Sequence, residues 1–162
     1  MATPDLPDEG EFSLTRVFDA PRALVWRAWT DPAHLAAWWG PQGFTNPVCE
    51  LDLRPGGLMR IVMRAPDGHD YPMRGEFVEI APPERLVFRN FAVDAEDKPL
   101  IDGLTTVVFI ERDGKTELRL HTRGKALVPF AKPWLQGMGQ GWTQSIDRLG
   151  EHLAGQAAGA SM

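Results

Sequence analysis

The stretch LMRIVMRAPDGHDYPMRGEF, residues 58 to 77, alternates apolar and charged side chains on both sides of a turn. The turn is Pro-Asp-Gly-His at 66–69, a combination typical of β-hairpins. The positions that share the apolar face are Met59, Ile61, Met63, Tyr71, Met73 and Phe77. A period of two on either side of a tight turn predicts two antiparallel strands with one buried and one solvated face.

Alternation of the same kind recurs before and after this hairpin. The segments that show it are EFSLTRVF (11–18), VCELDL (48–53), RLVFRNF (85–91), TTVVFIE (105–111) and TELRLHT (116–122). The turn sequence Arg112-Asp113-Gly114 joins the last two of them. The chain therefore predicts one early strand and six antiparallel strands between residues 45 and 123.

Two helix start signals separate the first strand from the others. Asp-Ala-Pro at 19–21 resembles an N-cap followed by a proline in the first turn, which predicts a helix over 21–29. Asp-Pro at 31–32 repeats the signal and predicts a second helix over 32–39, which Gly40-Pro41 ends.

The last part of the chain, from about residue 133 to 154, has the spacing of an amphipathic helix. Its apolar stripe consists of Leu135, Met138, Trp142, Ile146, Leu149 and Leu153. Gly137, Gly139 and Gly141 fall within the predicted first turns, where each interior glycine costs about 1 kcal/mol relative to alanine. Either the helix begins near Gly141, or the glycines let the sheet approach closely and leave the helix start mobile.

These elements predict an α+β fold in which a curved antiparallel sheet of about seven strands grips the C-terminal helix. The apolar face that the helix covers consists of Met59, Ile61, Met63, Met73, Phe77, Val107, Phe109, Leu118 and Leu120. Arginines and glutamates at the alternate positions form the wet face.

The composition predicts a cytoplasmic protein with a single domain over residues 11–154. The chain has 162 residues, a net charge of −5 and one cysteine, so an internal disulfide is impossible. The acidic balance argues against nucleic acid as a partner, and no apolar run approaches the ~20 residues of a membrane span. We expect no signal peptide at the start, and we expect disordered tails at 1–10 and 155–162.

Four segments together resemble the START-like (SRPBCC) helix-grip superfamily, within the group homologous to the activator of heat-shock-protein-90 ATPase. They are FDAPRALVWRAWTDPAHLAAWWGP (18–41), DLRPGG (52–57), GEFVEIAPPERLVF (75–88) and GMGQGWTQSIDRLGEHL (137–153). The resemblance implies a seven-stranded sheet around the C-terminal helix, with the two small helices closing one end of a cavity. It implies no single activity, because the superfamily includes ligand carriers and aromatic cyclases, and the group is named after a cochaperone domain.

A cavity of this kind makes the inward-facing apolar residues the candidate binding site for a small hydrophobic or aromatic molecule. The candidates are Trp38, Trp39, Phe44, Met59, Ile61, Met63, Tyr71, Met73, Phe77, Phe88, Asn90, Val107, Phe109, Trp134, Met138 and Trp142. Plain core packing is the alternative for all of them. Adjacent helical residues point about 100° apart, so we expect one of Trp38 and Trp39 to close the cavity and the other to pack beneath the helix or reach the surface.

Polar candidates for the cavity are few. Tyr71, Arg89, Asn90 and Thr105 each share a strand face with apolar neighbours. A cyclase or hydrolase that uses Tyr71 and Arg89, and a module that contacts a chaperone, are the alternatives to a binding protein. A homodimer is compatible with each of them.

The sequence contains no nucleophile elbow, phosphate loop, metal motif or cofactor fingerprint. The histidines are expected on the surface, and they are His34, His69, His121 and His152. Cys49 is expected to be a small buried hydrophobe.

Overall fold

The computed structural model describes residues 7–160, with side chains described as far as residue 156. The strands are β1 Glu9–Phe18, β2 Thr45–Leu51, β3 Leu58–Arg64, β4 Asp70–Ala81, β5 Arg85–Val93, β6 Pro99–Arg112 and β7 Lys115–Ala126. The helices are α1 Arg22–Thr30, α2 Pro32–Trp38, α3 Lys132–Gln136 and α4 Met138–Ala160, with a 3-10 turn at Pro129–Ala131. This order confirms the predicted succession of one strand, two short helices, six strands and a C-terminal helix, with the short α3 added before the long helix.

All seven strands form one sheet in the order β1-β7-β6-β5-β4-β3-β2, and every neighbouring pair is antiparallel. The predicted hairpin turns are present, with Gly68 and Asp113 at positive φ of 89° and 53°. The predicted apolar face is buried except at Met63, which is partly exposed. The predicted α+β helix-grip architecture is confirmed.

Several element ends differ from the sequence prediction. The structure begins β1 at Glu9 and continues α4 to Ala160, so both elements run into the segments predicted as tails; residues 1–6 and 161–162 lie outside the described part. β2 ends at Leu51, which leaves Leu53 exposed in the turn that follows. Side-chain alternation continues past the last ladder hydrogen bond, so it overestimates the length of a strand.

The two short helices begin differently. Asp31 caps α2, because its carboxylate accepts a hydrogen bond from the N–H of Ala33 at 3.0 Å, as the sequence predicts. The prediction for Asp19 is wrong: α1 starts after Pro21, which occupies the N-cap position without a side-chain hydrogen bond.

The C-terminal segment forms two helices instead of one. Gly137 ends α3, and α4 starts at the next residue, so the helix begins earlier than Gly141. A Cβ on Gly139 would lie 2.9 Å from the Phe12 ring on β1. The glycine therefore allows the helix to approach a side chain of the sheet, rather than the sheet backbone itself.

A row of small residues crosses the middle of the sheet at one register. The cross-strand partners in this row are Gly10, Gly124, Gly103, Asn90 and Gly75, on β1, β7, β6, β5 and β4. The space that side chains would occupy on the concave face is taken by Leu135 of α3 above Gly10 and Gly124. The Asn90 side chain occupies the same kind of space above Gly103.

Candidate functional site

Tryptophans fill the interior between the sheet and α4 at the end next to α1 and α2. Trp38 and Trp39 are both buried, so neither reaches the surface. Trp38 packs beneath the helix pair, where its indole N–H donates to the Ala28 carbonyl at 2.9 Å. Trp39 faces the interior, 5.3 Å from the Trp142 ring and 6.3 Å from the Phe88 ring between centroids. This end of the interior is packed core.

Most of the predicted lining residues belong to the same packed core. Those that are buried there are Met59, Ile61, Met73, Phe77, Phe88, Val107 and Phe109. Edge-to-face contacts between Trp29 and its neighbours Trp38 and Phe109 close the space above them. For these residues, core packing accounts for the observed burial.

Buried apolar side chains form two separate clusters. The large cluster surrounds the tryptophans and the second half of α4, and it includes Val107 and Leu120 of the sheet. The small cluster joins Leu100 and Ala126 of the sheet to Leu135 of α3, with Met138 packed against it. Between the two clusters, strands β4 to β7 carry small or uncharged polar residues at neighbouring register positions of the concave face, with Phe12, Met59 and Leu135 beside them. We call this strip the band, and its members are Gly75, Asn90, Gly103, Thr105, Thr122 and Gly124.

The polar members of the band form a hydrogen-bonded chain. The Thr105 hydroxyl donates to the Asn90 side-chain oxygen at 2.9 Å, and the Thr105 and Thr122 hydroxyl oxygens are also 2.9 Å apart. Both threonines are buried, at 0 % and 1 % exposure, whereas Asn90 is partly exposed. Sequence reasoning found Asn90 and Thr105 but missed Thr122, although Thr122 continues the alternation of Leu118 and Leu120 on β7.

Solvent reaches Asn90 although its side chain lies on the concave face. Met138 and Trp142 of α4 are likewise partly exposed, and a Cβ on Gly141 would meet no atom within 4 Å. We infer from these exposures that the sheet and α4 stand apart beside Asn90, although α4 packs closely on Phe12 of β1. We call the space between the band and the first turns of α4 the gap.

Aromatic side chains line one edge of the gap and remain half-exposed. Tyr71 of β4 lies 6.0 Å from Phe44 and 6.2 Å from Trp134 between ring centroids. Phe130 continues the series, 5.7 Å from Trp134. Trp134 and Phe130 are 46 % and 59 % exposed. Met63 completes this edge as the cross-strand partner of Tyr71, so three distant segments of the chain meet there.

Arg89 does not point into the interior. Its guanidinium pairs with Asp102 at 3.2 Å and lies 5.2 Å from the centre of the Phe91 ring, on the outer face of the sheet. The same face holds a depression of about 870 Å³, lined in part by Arg123 and Lys125. The arrangement of Tyr71 with Arg89 that the cyclase or hydrolase alternative requires is therefore absent.

Comparison with known proteins places the chain in a family. Residues 19–154 match the model of the family described as Activator of Hsp90 ATPase homolog 1-like protein. The chain belongs to this family. No curated protein matches this AHSA1-like chain.

Solved structures similar to this AHSA1-like chain share its fold at low identity. A protein from Rhizobium leguminosarum has 25 % identity and a TM-score of 0.77, over 90 % of this chain and 95 % of that one. A protein from Chromobacterium violaceum has 28 % identity and a TM-score of 0.71, over 88 % and 96 %. An AHSA1 protein from Silicibacter pomeroyi has 25 % identity and a TM-score of 0.73, over 91 % and 99 %.

Two histidines expected on the surface of this AHSA1-like chain are instead half-buried and paired. His34 Nδ1 of α2 lies 2.9 Å from His152 Nε2 of α4. Burial, and in second place the charge of His34, lowers the pKa of His152. The pair joins α2, which ends just before Trp39, to α4, which carries Trp142.

The remaining candidate groups show no assembled chemistry. Burial raises the pKa of the Cys49 thiol to about 11, and the charge of Glu50 adds to this, so the thiolate is disfavoured. Within residues 7–156, no three side chains of His, Cys, Asp or Glu are grouped so that they could hold a metal ion. Across the described helices, none is long and apolar enough to cross a membrane.

Proposed function

We propose that this AHSA1-like chain binds a small hydrophobic or aromatic molecule in the gap. The observation that carries the proposal is the partial exposure of Asn90 on the concave face of a central strand. Its neighbours in the band are buried, so the gap reaches inward from the surface as far as the middle of the sheet. An apolar recess with few polar groups is the usual form of a small-molecule site.

The surroundings of the gap support the same proposal. Half-exposed Tyr71 and Trp134 offer ring surfaces at its edge, and Met63 and Met138 are flexible side chains that adapt to different shapes. Exposed aromatic groups that converge from separate segments are costly to leave in water unless they contact a partner.

A fluorescence titration tests the proposal, because Trp142 borders the gap and its emission responds to a bound ring. The probes are naphthalene, 2-acetonaphthone and dodecanol, added to the wild type, Trp142→Leu and Trp26→Leu. Trp26 is the matched control: it is a half-buried indole on α1 that packs 5.3 Å from the Phe109 ring, away from the gap. Loss of aromatic contact should weaken the binding of naphthalene by about two- to tenfold in Trp142→Leu only.

The control separates binding from folding. Trp26→Leu should lower stability while leaving the affinity for naphthalene unchanged, since its ring touches no part of the gap. The proposal is wrong if no probe gives a saturable signal, or if both variants weaken binding equally.

A further inference from the structure

We infer that the ligand of the gap is uncharged and carries a hydrogen-bond acceptor, such as an aromatic ketone, that binds the side-chain amide N–H of Asn90. This inference rests on the proposed function and adds the chemical class of the ligand. The band supplies one hydrogen-bonding group in an otherwise apolar recess, and that group has a defined orientation.

The threonine chain orients the amide of Asn90. A hydroxyl has one hydrogen, so Thr105, which donates to the Asn90 oxygen, accepts in turn from Thr122. The oxygen of Asn90 is thereby engaged, while its nitrogen has no hydrogen-bond partner among the described residues. Thr105 and Thr122 act as positioning residues for this donor.

Gly103 provides the room for the donor. A Cβ at Gly103 would lie 2.7 Å from the Asn90 amide nitrogen, so any other residue there would displace the side chain. On the other side, the Met59 side chain covers Gly75, the cross-strand partner of Asn90, so the amide lies between Gly103 and a flexible thioether. A donor in this position favours a ligand that brings the matching oxygen, because an unpaired buried donor loses its hydration without compensation.

The charge distribution disfavours an ionic ligand. The band contains no charged residue, and the strands that carry it place Arg89, Asp102, Arg123 and Lys125 on the opposite face. A carboxylate or an ammonium group in the gap would be desolvated without a counter-ion, which costs more than one hydrogen bond returns. Neutral polar aromatics therefore fit this site better than fatty acids or amines.

Three probes of similar ring size test the inference by calorimetry or fluorescence at neutral pH: naphthalene, 2-acetonaphthone and 2-naphthoate. One added neutral hydrogen bond should make 2-acetonaphthone bind up to about tenfold more tightly than naphthalene. 2-Naphthoate should bind more weakly than naphthalene. In Asn90→Leu, which keeps the volume and removes the amide, the ketone-to-hydrocarbon ratio should fall to about one.

Two further variants serve as the second test and the control. Thr105→Val removes the hydroxyl that holds Asn90 and should lower the same ratio while naphthalene binding persists, which a merely structural role would not do. Gln140→Leu removes an exposed amide of α4 and should leave the ratio as in the wild type.

Each failure has a distinct meaning. Equal binding of ketone and hydrocarbon by the wild type, a preserved preference in both Asn90→Leu and Thr105→Val, or tightest binding of 2-naphthoate would overturn the inference while the proposed function stands. Failure of all three probes to bind would reject the proposed function and this inference with it.

Discussion

Arg148 holds the C-terminal end of α2 in place. The carbonyls of Trp39, Gly40 and Pro41 lie 2.9–3.0 Å from its Nη1 and share the two N–H groups there, and its Nη2 donates to the carbonyl of Ala37 at 3.3 Å. A cation there also complements the negative end of the helix dipole. Sequence analysis missed this contact, because backbone carbonyls about 110 residues away leave no side-chain pattern to detect.

Replacement of this guanidinium should therefore destabilise the protein. Arg148→Met removes a charged donor and leaves the carbonyl of buried Gly40 without a partner, so we expect a loss of about 1.5–3 kcal/mol in the free energy of unfolding. Asn46 still donates to Trp39 in this variant, and the Phe44 N–H still donates to Pro41. Arg60→Met is the matched control at an exposed position of β3. Urea unfolding measures both, and equal stabilities would show that water satisfies the Gly40 carbonyl as well as Arg148 does.

For helix α4, the sequence predicted the apolar stripe but not the residue at which the helix begins. The apolar stripe from Met138 to Leu153 depends on local spacing, which the sequence contains in full. The separate helix α3 depends on Gly137 and on Leu135 fitting over glycines of β1 and β7, which are distant in sequence. Tertiary packing of this kind is invisible to a periodicity argument.

The two glycines in the first turns of α4 should respond differently to alanine. Gly141→Ala should stabilise the protein by up to about 1 kcal/mol, because the added methyl meets nothing within 4 Å and improves helix propensity. Gly139→Ala should give no such gain, because the methyl would press on the Phe12 ring at 2.9 Å. Chemical denaturation of both variants checks this, and equal gains would mean that Phe12 moves aside without cost.

The contact between α2 and α4 should weaken in acid. His152 has a lowered pKa in the folded state because it is partly buried and faces His34, whereas an unfolded histidine titrates at about 6.5. Below about pH 6.5 the unfolded chain therefore binds more protons, and the free energy of unfolding falls until the pH passes the lower folded value.

Removal of the imidazole isolates this contribution. In His152→Gln, unfolding free energies measured between pH 7.5 and 5.0 should decline less steeply than in the wild type. His69→Gln, which removes an exposed histidine next to Tyr71, is the control for the loss of an imidazole that does not contact α2 or α4. An unchanged slope in His152→Gln would show that the histidine pair does not link α2 to α4 through protons.

At the scale of the whole molecule, the sequence reveals the local patterns of strands and turns. It does not reveal which residues of different strands become neighbours, because that depends on the register of strand pairing. Strand alternation and the turns at Gly68 and Gly114 predicted the sheet, since both depend on neighbouring residues. The band could not be predicted, because Asn90 and Thr122 are brought together by strand pairing across β6. Alternation along β5 shows that Arg89 and Asn90 point to opposite faces, but it does not show which of the two faces the interior, so both were candidates.

The central claim, that the gap is a binding site, is tested most directly by locating a bound probe. NMR of protein labelled with ¹³C at the methyl groups of Met and Leu, with unlabelled 2-acetonaphthone added, reports which methyl groups contact the ring. We predict intermolecular NOEs to Met138 and Met63, which border the gap, and none to Leu104, which lines the depression on the outer face. NOEs to Leu104 alone, or no NOEs to Met138 and Met63 at saturating probe, would contradict the account.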